Sequence, residues 1–221
     1  MVVISMTDGS FEKNGAPFQL ATPAPGWGPS IPSLLIFAAC TTLFHFANAA
    51  MLPLVGQKLA LANTALGTSL MAACIVAAQV VMVPVAMLVG SKADTWGRKP
   101  LFLAGLAVLA VRGCLYPLSD SATWLVGVQL LDGIGAGVFG ALFPLIVADL
   151  TRGTGHFNIS QGAIATAQGL GAALSTGIAG LIVVAAGYST AFLFLAAIAA
   201  IGFVVFALLM PETRRNGEAP G

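Results

Sequence analysis

Long apolar runs separated by short polar stretches make up most of the sequence after residue 30. Each run has about 20 residues, the number that a helix rising about 1.5 Å per residue needs to cross about 30 Å of hydrocarbon. The pattern predicts six transmembrane helices, over 33–55, 65–89, 101–118, 122–148, 159–186 and 188–210. Only Gly187 separates the last two, and a single kinked re-entrant unit is the alternative there.

The predicted fold is an all-α, polytopic membrane bundle, because backbone polar groups in hydrocarbon must be satisfied within a helix or a closed barrel. The runs lack the alternation of barrel strands. Residues 1–30 are rich in proline, glycine and polar side chains and are predicted to be a flexible cytoplasmic leader or linker. The transmembrane domain is predicted over 31–212, followed by a cytoplasmic tail over 213–221.

Composition supports a membrane protein and excludes several other classes. Of 221 residues, 58% are hydrophobic and 8% are charged, whereas a soluble domain carries about 25% charged residues. A net charge of +1 gives no basic field for nucleic acid. The three cysteines lie in apolar runs without zinc-ligand spacing, so no metal and no cofactor is expected.

The few basic residues predict the topology. Lys58 is the one basic residue on one side of the six predicted helices. The other side carries Lys13, Lys92, Arg98, Lys99, Arg152, Arg214 and Arg215. The positive-inside rule therefore predicts that both termini are cytoplasmic, in a plasma or inner membrane.

The stretch GSKADTWGRK, between the second and third predicted helices, concentrates glycine and charge and predicts a loop at the membrane surface. Gly90 would let two helices approach closely, and Gly97 would permit a tight turn. Asp94 would accept hydrogen bonds from a helix N-terminus, whose dipole favours an anion. Arg98 and Lys99 complete the pattern.

This stretch resembles the signature loop of the major facilitator superfamily, Gly-x3-Asp-Arg/Lys-x-Gly-Arg-Arg/Lys, with Thr95 where a basic residue is usual. The ending MPETRR also resembles the family's pattern after a last helix. The run QLLDGIG resembles the fourth-helix pattern Arg-x2-Gln-Gly-x-Gly, with Gln129 in place of the arginine and Asp132 in place of the glutamine. Together these motifs make 33–215 similar to the C-terminal six-helix half of a facilitator.

The resemblance implies a conformational latch at the cytoplasmic surface that breaks when the transporter rocks. Its predicted members are Gly90, Asp94, Gly97, Arg98, Lys99, Asp149 and Arg152. Arg98 is placed to bridge Asp94 and Asp149. The alternative is that these charges only fix the topology.

Two charges fall inside predicted spans, where each costs roughly 2.5–3.5 kcal/mol on insertion scales. Arg112 lies roughly 18 Å from the cytoplasmic edge and Asp132 roughly 15 Å from the outer edge, counted at about 1.5 Å per residue. An intramembrane ion pair between them is therefore feasible. Arg112 could instead snorkel outward, and Asp132 could instead serve as a proton or cation site.

Neutral polar side chains suggest a wall of a substrate and proton pathway. Thr41, His45 and Asn48 share a face of the first predicted helix. In the resembling family the first, second, fourth and fifth helices of a half line the path, which favours His45, Asn48, Gln129, Asp132 and Gln168 as pathway residues. The alternative for His45, Gln129 and Gln168 is a hydrogen bond that joins helices.

The predicted function is a secondary transporter module that moves a small solute, drug-like or metabolite, by alternating access, with proton coupling left open. Its predicted partners are the bilayer, the solute and an N-terminal six-helix half or a second copy. A membrane scaffold and an inactive half-transporter fragment are the alternatives. No catalytic residue is expected, since His45 with Ser69 is the only distant candidate for an intramembrane enzyme.

Overall fold

A computed structural model describes residues 31–62 and 64–213. Its helices are α1 (Ile31–Ala49), α2 (Met51–Ala62), α3 (Gly67–Trp96), α4 (Arg98–Leu115), α5 (Ala122–Leu150) and α6 (Phe157–Leu209), with a 3₁₀ turn over Tyr116–Leu118. The predicted leader over 1–30 and the tail from 214 onward, with Arg214 and Arg215, lie outside the described residues.

The described part of the chain is helical and contains no strand, as the apolar runs predict. Five helical stretches are long and apolar enough to cross a membrane: Ile31–Ala62, Gly67–Trp96, Arg98–Leu118, Ala122–Leu150 and Phe157–Leu209. The count of six separate helices is therefore not obtained, because the last two predicted spans are joined in α6. Large apolar side chains stay exposed on α3 and α6, such as Met87 at 71% and Val184 at 88%, as expected of surfaces that face lipid or another protein.

The first span is longer than predicted and is interrupted at Ala50, between α1 and α2. Pro53 lacks the N–H that would bind the carbonyl of Ala49, and its ring crowds that carbonyl, which accounts for the break. Hydrogen bonding resumes when the Leu54 N–H donates to Ala50 O at 3.0 Å. Helix α2 then continues to Ala62, so Lys58 lies in a helix and not in a loop.

The stretch from Gly90 to Lys99, predicted as a loop, is almost entirely helical. Helix α3 continues through Trp96, and α4 begins at Arg98. Gly97 alone makes the connection, with φ 92° and ψ 148°, a conformation that only glycine adopts readily. The charges of this stretch therefore extend a helix beyond its apolar part.

Helix α6 has 53 residues and is not straight, because Gly187 has non-helical dihedrals of φ 85° and ψ 169°. A Cβ on Gly171 would lie 2.9 Å from Thr42, and one on Gly202 would lie 3.5 Å from Leu43. In a straight helix two positions 31 residues apart would be separated by about 46 Å. Their contact with neighbouring residues of α1 shows that the chain reverses direction around Gly187.

The helices pack as α1 against α6, α3 against α5, and α4 between α5 and α6. Close approach of α3 and α5 depends on Gly133 and Gly137, one helical turn apart. A Cβ at these positions would lie 2.2 Å from Ala78 O and 2.7 Å from Met82 O. Gly90, predicted to serve this purpose, has no atom within 4 Å of its Cβ position in the described chain.

Aromatic rings fill the core where α1, α4, α5 and α6 meet. The Phe37 ring lies 5.6 Å from Phe102, 6.0 Å from Phe143 and 6.5 Å from Phe206, measured between ring centroids. Because this ring packing joins the four helices, it fixes the relative positions of the segments that carry the polar residues around Arg112.

We expect Gly133→Ala to lower the melting temperature of the protein in detergent, because the added methyl group would overlap Ala78 O, a strain of about 1–3 kcal/mol. Gly140→Ala on the same helix is the matched control, since nothing lies within 4 Å of its Cβ position. Equal melting temperatures for the two variants would contradict the α3–α5 packing.

Candidate functional site

A buried arginine lies at the centre of the polar site. Arg112, near the end of α4, is 1% exposed. Its Nη1 makes an ion pair and hydrogen bond with Asp132 Oδ1 of α5, and its Nη2 donates to Asn48 Oδ1 of α1 at 2.7 Å. The arginine therefore connects three helices, and the structure brings together three residues that the sequence analysis selected.

The other neighbours of Arg112 lie on both sides of the break between α1 and α2. Asn48 precedes Ala50, and Met51 follows it. The Met51 sulfur accepts from Arg112 Nε at 3.3 Å and from Nη2 at 3.1 Å. All three guanidinium nitrogens thus have partners, which offsets much of the cost of burying the charge.

The network continues along α5 to the 3₁₀ turn. Gln129 Nε2 donates to Asp132 Oδ2 at 2.9 Å, and the Tyr116 hydroxyl donates to Gln129 Oε1. Both carboxylate oxygens of Asp132 therefore accept hydrogen bonds. The Tyr116 ring also lies 5.9 Å from the Arg112 guanidinium carbon, within the range of a cation–π contact.

Exposure differs sharply within this network. The Asp132 side chain is 17% exposed, whereas that of Arg112 is 1% exposed and Gln129 is fully buried. The solvent-accessible charged group of this ion pair is thus the Asp132 carboxylate.

His45 lies beside the network rather than in it. Its Nδ1 is 3.0 Å from the Thr41 carbonyl, and its ring packs edge-on against Phe139 with centroids 4.7 Å apart. Phe139 lies seven residues after Asp132, so these two residues share one face of α5. Asn48 lies three residues after His45, so these two share one face of α1. The imidazole and the Phe139 ring therefore lie next to the Arg112 network along the same faces of α1 and α5.

Gln168 lies apart from the other predicted pathway residues. It is 6% exposed on α6, and its Nε2 has no hydrogen-bond partner in the described chain. Ser175, two turns further on, is also buried with an unpartnered hydroxyl. Gly171 lies between them against Thr42, so both polar groups flank the contact of α6 with α1.

A second charge cluster lies at the opposite end of α4. Arg98 Nε is 2.8 Å from Asp149 Oδ2, and Arg98 Nη2 is 3.2 Å from Asp94 Oδ1. Arg98 is largely buried and Asp149 is 14% exposed, whereas Asp94 is 81% exposed. The arginine thus bridges the ends of α3 and α5, and its better shielded partner is Asp149.

The N-terminus of α4 is capped by Glu212, not by Asp94. The Glu212 carboxylate accepts the backbone N–H groups of Arg98 at 3.0 Å and Lys99 at 3.1 Å. A carboxylate at this position satisfies free donors and complements the helix dipole. Glu212 follows α6, so this contact ties the end of the last helix to the junction of α3 and α4.

Arg152, predicted to belong to the latch, is exposed in the turn after α5. Gly90 is also exposed. At the far end of the bundle, Lys58 makes an ion pair with Asp120, and its Nζ lies 5.9 Å from the Phe192 ring centroid. Charges therefore occupy both ends of the bundle, with the Arg112 network between them.

Other kinds of site find no support in the part of the chain that the structure describes. No group of three His, Cys, Asp or Glu residues there could hold a metal ion. His45 is half-buried beside Phe139, whereas Ser69 is exposed in the first turn of α3. No hydrogen bond joins His45 and Ser69 among the described residues.

Sequence reasoning missed Met51, Tyr116 and Glu212. Tyr116 lies four residues after Arg112, a helical spacing that would have placed it on the same face. Met51 gave no signal, because an apolar residue in an apolar run is usually only core. Glu212 lies in the PET motif, whose partner on α4 is distant in sequence.

Comparisons with known proteins agree with this architecture. The sequence profile described as Major Facilitator Superfamily matches residues 34–221. The chain is similar to proteins named uncharacterized MFS-type transporters from two strains of Mycobacterium tuberculosis, CDC 1551 / Oshkosh and ATCC 25618 / H37Rv. It is 67% identical to each over 180 residues, which are 81% of this chain and 43% of the relative.

Among solved structures, the chain is similar in fold to the human organic anion transporter MFSD10 (TETRAN), with a TM-score of 0.67 and 21% sequence identity. The match covers 84% of this chain and 49% of that one. The chain thus spans about half the length of the proteins that it matches.

We expect Tyr116→Phe to destabilise the protein by about 1–3 kcal/mol, because the buried Gln129 carbonyl would lose its donor. Tyr188→Phe is the matched control, since the Tyr188 hydroxyl makes an exposed contact of 3.3 Å with Gln57. Thermal unfolding in detergent measures both, and a larger loss for Tyr188→Phe would contradict the network.

We expect Glu212→Ala to lower stability by about 1 kcal/mol through loss of the α4 cap. Glu212→Gln keeps an oxygen acceptor but removes the charge, so it should retain part of that stability. Melting temperatures at low and high salt separate the two effects. Native stability in Glu212→Ala would show that the cap contributes nothing.

Proposed function

The chain belongs to the major facilitator superfamily, and we propose that it is one six-helix lobe of a secondary transporter that moves a small solute by alternating access. The observation that carries the proposal is the network around Arg112 and Asp132. It joins three apolar helices, and an ionisable side chain inside an apolar membrane-spanning segment is costly and usually functional.

The chain supplies one lobe of the two that alternating access requires. It covers 43% of the bacterial relatives and 49% of the solved transporter, which supports a second lobe of similar size. The motif between α3 and α4 and the PET ending favour assignment as the C-terminal lobe. The partner is then an N-terminal six-helix lobe or a second copy of this chain.

Six crossings are proposed by dividing α6 at Gly187. A helix of 53 residues would extend about 80 Å, far beyond a hydrocarbon layer of about 30 Å. The contacts of Gly171 and Gly202 with the same region of α1 support a hairpin. An even number of crossings, with the basic residues near Arg98, favours cytoplasmic termini in a plasma or inner membrane.

Each part of the site has a proposed role in the transport cycle. Asn48, Asp132 and the layer of His45 and Phe139 form a wall of the solute path. Arg98 with Asp94, Asp149 and the Glu212 cap form the cytoplasmic latch. A latch of this kind biases a two-state equilibrium only if its contacts differ between the two states.

A non-transporting scaffold or inactive fragment is the second candidate. It is favoured by the full hydrogen bonding of Asp132, since a carboxylate with both oxygens satisfied can be a fixed brace. Enzymatic function is not proposed, because the family and its relatives are transporters. The class of substrate named for the human transporter is not carried over at 21% identity.

Proteoliposome flux tests the proposal. Vesicles would contain the chain at one copy each, at several copies each, or together with an N-terminal lobe. Radiolabelled sugars, amino acids, monocarboxylates and organic amines would serve as solutes. We expect saturable uptake of at least one solute only when two lobes share a vesicle. Saturable uptake by single copies would contradict the two-lobe proposal, and no uptake in any vesicle would favour the scaffold.

A further inference from the structure

The geometry points to an organic cation with an aromatic body as the solute class that binds at Asp132, an inference that rests on the proposed solute path. The ammonium group would join Asp132 Oδ1 and Oδ2, and the aromatic part would lie along His45 and Phe139.

Arg112 is not available to an anion. Its Nε, Nη1 and Nη2 already donate to Met51, Asp132 and Asn48, and the residue is 1% exposed. One Nη1 N–H has no partner among the described residues, and an anionic solute could reach it only through the protein that encloses the guanidinium. The positive member of the pair therefore acts as an internal counter-ion for Asp132.

Asp132 retains capacity to bind a donor. An ionised carboxylate offers about four lone-pair sites, and the network uses one on Oδ1 and one on Oδ2. The side chain is 17% exposed, so its remaining sites can be reached. An ammonium group can thus add to the carboxylate without displacing Arg112 or Gln129, whereas an anion would be repelled.

The surface beside Asp132 suits an aromatic body. Phe139 and Phe143 follow Asp132 at helical spacing on α5, are only partly buried, and stack with ring centroids 5.4 Å apart. The His45 ring lies edge-on to Phe139. From Asp132 to Phe139 the helix rises about 10 Å, close to the length of a small arylalkylamine.

Binding of three ligands that share a phenyl ring tests this inference: 2-phenylethylammonium, 2-phenylethanol and 3-phenylpropanoate. The full chain in lipid nanodiscs would be titrated by ligand-detected NMR. We expect the cation to bind at least about tenfold more tightly than the anion, with the alcohol between them, because a hydrogen bond to a charged group is stronger than one between neutral groups.

Three variants identify the group responsible. Asp132→Asn keeps the size of the side chain and an oxygen acceptor. It should weaken binding of 2-phenylethylammonium about tenfold without changing the affinity for 2-phenylethanol. Asp120→Asn, which removes the same charge from an exposed position, should leave all three affinities unchanged. Arg112→Gln should retain or strengthen cation binding, and its melting temperature would verify folding.

Tighter binding of 3-phenylpropanoate, or equal cation affinity in native protein and Asp132→Asn, would overturn the inference. Either result could occur while flux assays still show transport of another solute. In that case the proposed solute class would be rejected and the proposed transport function would stand. Conversely, Asp132-dependent cation binding without flux in two-lobe vesicles would support the site and reject the proposed transport.

Discussion

The cost of a charge inside hydrocarbon is the constraint on which this structure depends. Arg112 cannot reach water from its buried position, so Asp132, Asn48 and Met51 must meet it within the bundle. Asn48 belongs to α1, Met51 to α2 beyond the break at Ala50, and Asp132 to α5. The requirement to satisfy one guanidinium therefore fixes the relative positions of α1, α2, α4 and α5 more specifically than apolar packing alone would.

Around this centre the bundle is held at both ends by contacts between residues far apart in the chain. Arg98 joins the ends of α3 and α5, and the Glu212 carboxylate joins the chain after α6 to the start of α4. At the other end of the bundle, an ion pair joins Lys58 of α2 to Asp120, which lies just before α5. This arrangement suits the proposed transport mechanism, because rocking of one lobe against another requires each lobe to move as a unit.

The sequence was sufficient for those features that follow from period, length and the cost of charge. Apolar runs predicted the helices, and the depths of Arg112 and Asp132 predicted that they could meet. The sequence was insufficient where a local residue pattern indicates one structure and contacts with distant residues favour another. The polar stretch around Lys92 and Asp94 looked like a loop but continues α3, because water at a membrane surface tolerates a charged helix as readily as a loop. The cap on α4 was assigned to the nearby Asp94, whereas Glu212, 114 residues after Arg98, provides it.

A double-mutant cycle on Arg112 and Asp132 measures how much this buried ion pair contributes to the stability of the bundle. Arg112→Met, Asp132→Leu and the double variant would be compared with native protein by reversible unfolding in bicelles. We expect a loss of about 3–5 kcal/mol for each single variant, since each leaves one charge uncompensated. The double variant should recover most of that loss. Strictly additive losses, or single variants as stable as the native protein, would contradict the conclusion that this pair organises the helix bundle.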